Sequence, residues 1–184
     1  MKLIVAIDTT VLFAALLSNG VCRKLLEFGA LGIYTPVITS EVLAELNTHC
    51  HLGIKGKPIT DEMVTAFREA IAPLLEPENI VPSPIGRFDS TPKLLVNVEN
   101  TMILHRYPDP SSSPRGEKRK PHVMGERKIV MTDMADAHVL AAAALKKADY
   151  LCTSNSKDLP SGLEFLSTKV ITPSDLYRKL TDEE

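Results

Sequence analysis

Acidic side chains stand at the points where strands of a predicted parallel sheet end. Asp8 directly follows the run Lys2–Ile7, which is apolar after its first residue, and Asn155 and Asp158 follow a second apolar segment, Asp149–Thr153. Ligands of open α/β sheets bind beyond the carboxyl ends of the strands. We therefore expect these polar side chains to meet at one edge of the sheet, although they are far apart in the sequence.

Two predicted helices bring further acids to the same edge. Asp133 and Asp136 begin an alanine-rich helix and, three residues apart, lie on one face of it. Glu41 and Glu45 lie on a helix that directly follows another strand end, and Glu45 is the better candidate because Glu41 is expected to be solvated. Asp133 and Asp136 also have a structural interpretation, as a helix cap and its partner at the helix dipole. Asp158 could likewise cap a short helix.

A cluster of carboxylates favours a bound cation. Like charges raise one another's pKa, and a hard divalent cation such as Mg²⁺ or Mn²⁺, which prefers oxygen ligands, removes that repulsion. Asp8 is the hardest of the acids to explain structurally, because an acid that ends a buried strand is costly unless something binds it. Carboxylates that bind such a metal orient and deprotonate a water for attack on a phosphodiester. The pattern therefore favours metal-dependent phosphodiester hydrolysis.

Strands and helices alternate at both ends of the chain. Besides the two segments already given, strands are predicted at Leu31–Thr35 and Lys169–Ile171. Helices are predicted at Thr10–Ser18, Val21–Phe28, Ser40–His51, Thr60–Leu75 and Asp133–Lys147, and after the cap Thr172. Continuous rather than alternating hydrophobicity indicates strands that are buried on both faces. The predicted fold class is α/β with a mainly parallel sheet.

The stretch 86–131 interrupts this alternation as an irregular insertion. Lys93–Val98 and Thr101–Tyr107 can pair as a hairpin, and Asp109–Arg127 is rich in proline, glycine and serine, as flexible loops are. Six basic residues stand within 115–128 of the insertion: Arg115, Lys118, Arg119, Lys120, Arg127 and Lys128. Against two acids they give 115–128 a charge of +4, while the remainder of a chain whose total is −2 carries −6. The patch is either a solvated face or a contact for RNA phosphates.

Length and composition indicate one globular domain over residues 1–184. The hydrophobic fraction is 44% and the charged fraction 24%, which excludes wholesale disorder and a coiled coil. The three cysteines, Cys22, Cys50 and Cys152, are scattered without a CxxC pair, so we expect reduced thiols in a cytoplasmic protein and neither a disulfide framework nor a zinc site. No apolar run approaches the ~20 residues that a membrane span needs, and no membrane association is expected.

The motifs resemble those of PIN-domain ribonucleases. Residues 4–12 read I-V-A-I-D-T-T-V-L and are similar to the apolar strand followed by D-T-N-V-L that opens the family. Residues 133–143 (D-M-A-D-A-H-V-L-A-A-A) and 153–160 (T-S-N-S-K-D-L-P) resemble the branch that reads D-x-x-D-x-H-V-L-A-A-A and T-x-N-x-x-D-F-P, which includes VapC-like toxins of bacterial toxin–antitoxin pairs. The segments S-E-V-L-A-E-L at 40–46 and V-I-T-P at 170–173 match as well.

The resemblance implies a three-layer fold, with a five-stranded parallel sheet between helices, and Mg²⁺- or Mn²⁺-dependent endonucleolytic cleavage of RNA. Asp8, Glu45 and Asp136 match the acidic triad of the family, and Asp158 supplies or supports the fourth acid. The supporting positions are Thr10, Asp133, Thr153 and Asn155. The implied partners are an RNA substrate, an antitoxin protein if the chain is a toxin, and a second copy of the chain in a dimer.

Two features favour an alternative, a catalytically weak PIN module that binds RNA or a partner protein as a regulator. Asn155 stands where many PIN nucleases have Asp, and the insertion is longer than a minimal toxin needs. A haloacid-dehalogenase-like phosphatase is disfavoured because it needs a second Asp two residues after the first, where Thr10 stands. His138, two residues after Asp136 on a helix, is expected to point elsewhere and to be structural rather than a general base.

Overall fold

The computed structural model of the chain describes residues 2–52, 59–82, 96–98, 101–105, 122–123, 128–131 and 136–182. Its strands are β1 (Ile4–Ile7), β2 (Thr35–Thr39), β3 (Ile80–Val81), β4 (Val96–Val98), β5 (Thr101–His105), β6 (His122–Val123), β7 (Lys128–Met131), β8 (Tyr150–Cys152), β9 (Glu164–Phe165) and β10 (Thr168–Ile171). Its helices are α1 (Thr9–Leu17), α2 (Val21–Ala30), α3 (Ser40–Leu52), α4 (Asp61–Ile71), α5 (Ala137–Leu145) and α6 (Pro173–Thr181).

The main sheet has the strand order β3-β2-β1-β8-β10-β9. Its first five strands run parallel to one another, and only β9 is antiparallel, paired with β10. The predicted α/β class with a mainly parallel sheet is confirmed, and the short edge strand β9 makes the sheet six-stranded. The central strands β1 and β8 are in register with Ile7 opposite Cys152, so the residues that follow both strands emerge side by side.

The core lies between this sheet and its helices. Strand β1 is buried at Val5, Ala6 and Ile7, as its continuous apolar sequence predicts. Helix α5 is buried at every position from Ala137 to Ala143 and contacts β1 and β2. Four alanines in that stretch allow close approach to the sheet, and each larger aliphatic side chain buried here stabilises the fold by about 1.5–3 kcal/mol.

Strand β2 lies four residues later than the sequence pattern predicts. The predicted strand ends before Pro36, yet β2 begins at Thr35 and continues through the proline. The N–H of Thr35 donates to the carbonyl of Leu3 on the β1 side, so the nitrogen of Pro36 faces the other side of the strand. There β3 pairs only from Ile38 onward, and the missing N–H of the proline therefore costs no ladder hydrogen bond.

Helix boundaries agree with the predicted caps. The hydroxyl of Thr60 accepts a hydrogen bond from the N–H of Met63 (3.3 Å), and that of Thr172 accepts from the N–H of Asp175 (3.1 Å). Pro73 lies in a 3-10 turn, Ala72–Leu75, that follows α4. No helix in the part of the chain that the structure describes is long and apolar enough to cross a membrane.

The described parts of the predicted insertion form a second sheet with the order β4-β5-β7-β6. Strands β4 and β5 pair antiparallel with Val96 opposite Ile103, which is the predicted hairpin. Strand β6 lies inside the predicted loop, and β5 and β7 are parallel. The insertion is therefore more regular than its composition indicates, because two-residue pairings such as β6 with β7 leave no periodic pattern.

Candidate active site

Asp8 stands at the junction between β1 and α1. Its backbone N–H donates to the carbonyl of Cys152 on β8 (3.1 Å), and its own carbonyl accepts from the N–H of Val11 in the first turn of α1 (3.1 Å). It occupies the N-cap position of α1, yet its side chain makes no capping hydrogen bond. The backbone is thus held by the sheet and the helix, while the buried carboxylate, 2% exposed, is directed elsewhere.

Two threonine hydroxyls satisfy the Asp8 carboxylate. Thr10 from α1 and Thr153 after β8 each donate to Oδ2 at 2.6 Å. Each hydroxyl also accepts a backbone N–H, Thr10 from Ser154 (3.1 Å) and Thr153 from Asn155 (2.9 Å), which orients its proton toward Asp8. These bonds offset the loss of hydration at a buried acid. Both threonines are therefore found where the sequence predicted polar neighbours of Asp8.

Glu45 enters from α3 and is bonded on both oxygens. The hydroxyl of Thr9 donates to Oε2 at 2.5 Å, and Nε2 of His138 lies 3.5 Å from Oε1. The His138 ring is the main cause of a lowered pKa at Glu45; partial burial opposes it, and the Thr9 hydrogen bond adds to it. The side chain is 39% exposed, so the carboxylate is fixed by neighbours and still open to a ligand.

His138 is buried and links Glu45 to the sheet. Its Nδ1 lies 2.8 Å from the hydroxyl of Thr39 at the end of β2, and that hydroxyl accepts the N–H of Val42 (3.1 Å). When Thr39 donates its proton to Nδ1, the neutral ring presents its Nε2–H to the carboxylate of Glu45. The ring is thus directed to Thr39 and to Glu45 of the predicted site, and its structural role stays a prediction. The spacing argument did not reveal that it reaches Glu45 on α3.

Asp136 and Asn155 form the third part of the site. Asp136 is the N-cap of α5 but makes no side-chain capping bond; its Oδ2 instead accepts from the amide of Asn155 at 2.8 Å. The other end of that amide, Oδ1, accepts the backbone N–H of Asp158 at 3.4 Å. Asn155 therefore ties Asp136 to the turn that follows β8.

A cavity of about 310 Å³ joins these groups. Among the described residues it is lined by Asp8, Thr9, Thr10, Phe13, Glu45, His49 and Asp136. The three acids of the predicted triad thus reach one cavity from three separate segments of the chain. Asp158, Thr153 and Asn155 are not among these lining residues, and Asp158 stays a prediction as a fourth acid.

Several predicted positions lie outside the described residues. They are Asp133 and five of the basic residues, Arg115, Lys118, Arg119, Lys120 and Arg127. The sixth basic residue, Lys128, is the first residue of β7.

The donor chemistry of the cavity fits a hard divalent cation, because carboxylate and hydroxyl oxygens are the ligands that Mg²⁺ and Mn²⁺ prefer. Within the described ranges, however, no three His, Cys, Asp or Glu side chains are grouped closely enough to hold a metal ion. The acids line one cavity while each is bonded to a different neighbour: Asp8 to threonines, Glu45 to Thr9 and His138, Asp136 to Asn155. Binding a cation requires these side chains to come closer together.

Sequence reasoning missed Thr9, Phe13 and His49 as cavity residues. The signal that finds them is helical spacing, since positions four apart lie on one face of a helix. Thr9 and Phe13 are so related on α1, and Glu45 and His49 are so related on α3. The sequence suggests His49 only as a metal ligand beside His51, and the lack of a second such pair disfavours that role.

A family model described as the PIN domain matches residues 4–157 of the chain. The matched range contains Asp8, Glu45 and Asp136, and it ends one residue before Asp158. The comparisons with curated proteins and with solved structures give no significant match.

Proposed function

This chain belongs to the PIN-domain family, a family of nucleases that typically bind divalent metals, and we propose that it is an Mg²⁺- or Mn²⁺-dependent endoribonuclease. The observation that supports the proposal best is the convergence of Asp8, Glu45 and Asp136 on one cavity at the carboxyl edge of a parallel sheet. A ligand site at that edge is what the topology of an open α/β sheet favours.

In this proposal Asp8, Glu45 and Asp136 hold the cation. When bound, it would polarise a phosphodiester and lower the pKa of a water for in-line attack. The His138 ring lowers the pKa of Glu45, so that carboxylate stays an anionic ligand to a lower pH than an ordinary glutamate. The hydroxyls of Thr10 and Thr153 hold Asp8, and the amide of Asn155 holds Asp136, so these contacts orient the carboxylates in the metal-free state, from which they would move together around a cation.

Three acids in one cavity repel a polyanion in the absence of metal. A phosphate of RNA brings a further negative charge to a cavity whose described lining contains three carboxylates. Metal is therefore needed for substrate binding as well as for the chemical step. Cleavage and tight binding at this cavity should both disappear in EDTA.

The experiment is cleavage of single-stranded RNA by Glu45→Gln beside the matched control Glu41→Gln. Both glutamates lie on α3, one helical turn apart, and Glu41 does not line the cavity. We expect Glu45→Gln to abolish Mn²⁺-dependent cleavage and Glu41→Gln to retain it. Near-normal cleavage by Glu45→Gln, or by Asp8→Asn or Asp136→Asn, would show that the assigned site is wrong.

A regulator that binds RNA or a protein without cutting RNA is the second candidate. The spread of the three carboxylates and the amide at position 155 favour it. Calorimetric titration with Mn²⁺ separates the two, because a binding module need not hold a metal. Within the nuclease proposal, a toxin role with an antitoxin partner and a dimer are the finer proposals, and co-expression with the product of the neighbouring gene tests the first of them.

A further inference from the structure

The cavity of the three acids also has an aromatic side. Phe13 from α1 and His49 from α3 line it, with ring centroids 5.1 Å apart and planes inclined by 38°. Phe13 is partly exposed and His49 is exposed. Two flat rings from different helices therefore meet inside the same cavity as the carboxylates.

Burial in the core accounts for only part of this ring pair. Helix α1 buries Val11, Leu12, Ala15 and Leu16, and Phe13 packs against the core beside them while it stays partly exposed. A large apolar ring that stays partly in water in a concave site is available to a ligand. His49, being exposed, contributes little to the core.

The position of the rings relative to the acids is set by the two helices. Thr9 donates to Glu45 and so joins α1 to α3 at the acidic end of the cavity. Phe13 and His49 each follow one of these two residues by four positions, which is slightly more than one turn, or roughly 6 Å, along the helix. The ring pair thus lies about one helical turn from the Glu45 carboxylate, and a single nucleotide, whose base and phosphate are separated by its ribose, can contact both.

Resting on the proposed function, we propose that Phe13 and His49 form a stacking surface for a nucleobase next to the scissile phosphate of single-stranded RNA. Stacking needs an unpaired base, so the surface selects single strands over duplexes. Every base has a flat π-face, so the surface does not select a sequence. In this proposal the preference for single strands and the lack of sequence selection both come from the ring pair rather than from the acids.

The test measures binding of a fluorescently labelled single-stranded RNA oligonucleotide by anisotropy, with Ca²⁺ present as a cation that also takes oxygen ligands. The same backbone without bases and the duplex of the same sequence are the other two probes. Phe13→Leu removes the ring and keeps apolar volume, and Phe13→Tyr keeps the ring. Phe28→Leu is the matched control, because Phe28 stacks on Tyr177 at 5.6 Å and does not line the cavity.

We expect Phe13→Leu to weaken binding of single-stranded RNA about tenfold, within the range measured for base–aromatic stacking. Phe13→Tyr and Phe28→Leu should bind as the wild type does, and all four proteins should bind the base-free backbone equally. His49→Ser, at an exposed position, should show a smaller loss and serves as the second variant if Phe13→Leu fails to fold.

Three results would overturn the proposal: full binding by Phe13→Leu and His49→Ser, equal losses on RNA and on the base-free backbone, or no binding of single-stranded RNA by the wild type. The outcome is distinct from that of the nuclease proposal. Ring-dependent binding without cleavage would retain the stacking surface and reject the nuclease. Cleavage and binding that are unchanged in the variants of both rings would retain the nuclease and reject the stacking surface.

Discussion

Asn155→Asp is the substitution whose effect follows most directly from the structure. The amide nitrogen of Asn155 lies 2.8 Å from Oδ2 of Asp136, and both side chains are partly exposed. An aspartate at position 155 replaces this donor with a second carboxylate. The variant therefore loses a hydrogen bond to a charged group and gains a repulsion at the same place.

The size of the effect can be bounded. A hydrogen bond to a charged group contributes about 1.5–3 kcal/mol. Two unit charges about 4 Å apart repel by about 1 kcal/mol in water and about 4 kcal/mol at an effective dielectric constant of 20. Because rotation of the new side chain relieves part of the repulsion, we expect a loss of about 2–4 kcal/mol in the free energy of unfolding in EDTA. A domain stabilised by about 5–15 kcal/mol stays folded after such a loss.

Urea unfolding measures the free energy of unfolding of the variant without metal, in EDTA, and with Mn²⁺. In EDTA the variant should regain stability as the pH falls below about 5, because like charge raises the pKa of the pair and the folded state then binds more protons than the unfolded state. Mn²⁺ should stabilise the variant more than the wild type, because a cation bound by Asp136 also offsets the repulsion between the two carboxylates. A metal at 100 times its Kd adds about 2.7 kcal/mol.

The matched control is Ser154→Asp, which adds a charge at an exposed neighbouring position whose side chain does not line the cavity. It should change the stability by less than about 0.5 kcal/mol. Equal unfolding free energies for wild type and Asn155→Asp in EDTA would refute the contact between Asn155 and Asp136.

Four other sets of substitutions probe the remaining features of the site and of the insertion. Glu45→Gln should abolish the rise in Tm that Mn²⁺ gives the wild type, and Glu41→Gln should keep it; an equal rise in both would remove Glu45 from the ligand set. The pKa of Glu45 is lowered in the folded state, so its contribution to stability is complete above its ordinary pKa of 4.5 and is lost as the pH falls through the folded value. Glu45→Gln should therefore flatten the acid side of the curve of unfolding free energy against pH in the absence of metal. His138→Phe should weaken Mn²⁺ binding by removing the ring that contacts Oε1 of Glu45, although Thr9 still bonds Oε2; unchanged affinity in calorimetry would contradict that. Asp158→Asn decides the fourth acid: weaker Mn²⁺ binding confirms it, and unchanged binding leaves three. The basic patch is tested by replacing four of its residues with Gln: Arg115, Lys118, Arg119 and Lys120. The slope of log K for RNA binding against log salt concentration should fall by about 0.7 for each phosphate that is no longer neutralised. An unchanged slope would make the patch a solvated face.

Local patterns in the sequence were sufficient to predict the class of the fold and the position of Asp8 at the end of a buried strand. The apolar run of β1 is buried on both faces, and a parallel sheet is the arrangement that buries such a strand. Since β1 and β8 are neighbours, the polar residues after them meet. The positions of Thr10 and Thr153 in the site were implied by the resemblance to the PIN family rather than by the local pattern. The caps Thr60 and Thr172 were equally visible, because a cap depends on residues only three positions apart.

Short elements and pairings that depend on a partner were not visible in the sequence. Strands β3, β6 and β9 have two residues each, too few for any period to appear. Pro36 indicated the end of a strand, although it lies within β2 at a point where the sheet has a neighbour on one side only. Whether a proline interrupts a ladder depends on the adjacent strand, and the local sequence does not contain that strand.

Only the packing of helices on the sheet decided how the acids are held. The contacts of Glu45 with Thr9 and His138 join α3 to α1 and to α5, over separations of 36 and 93 positions in the sequence. Motif spacing shows which acids share an edge of the sheet. The spacing of the helices sets the distances between the carboxylates and the neighbour to which each one is hydrogen-bonded. A side chain reaches only a few ångströms from its backbone, so a small shift of a helix changes the partner of each side chain on it.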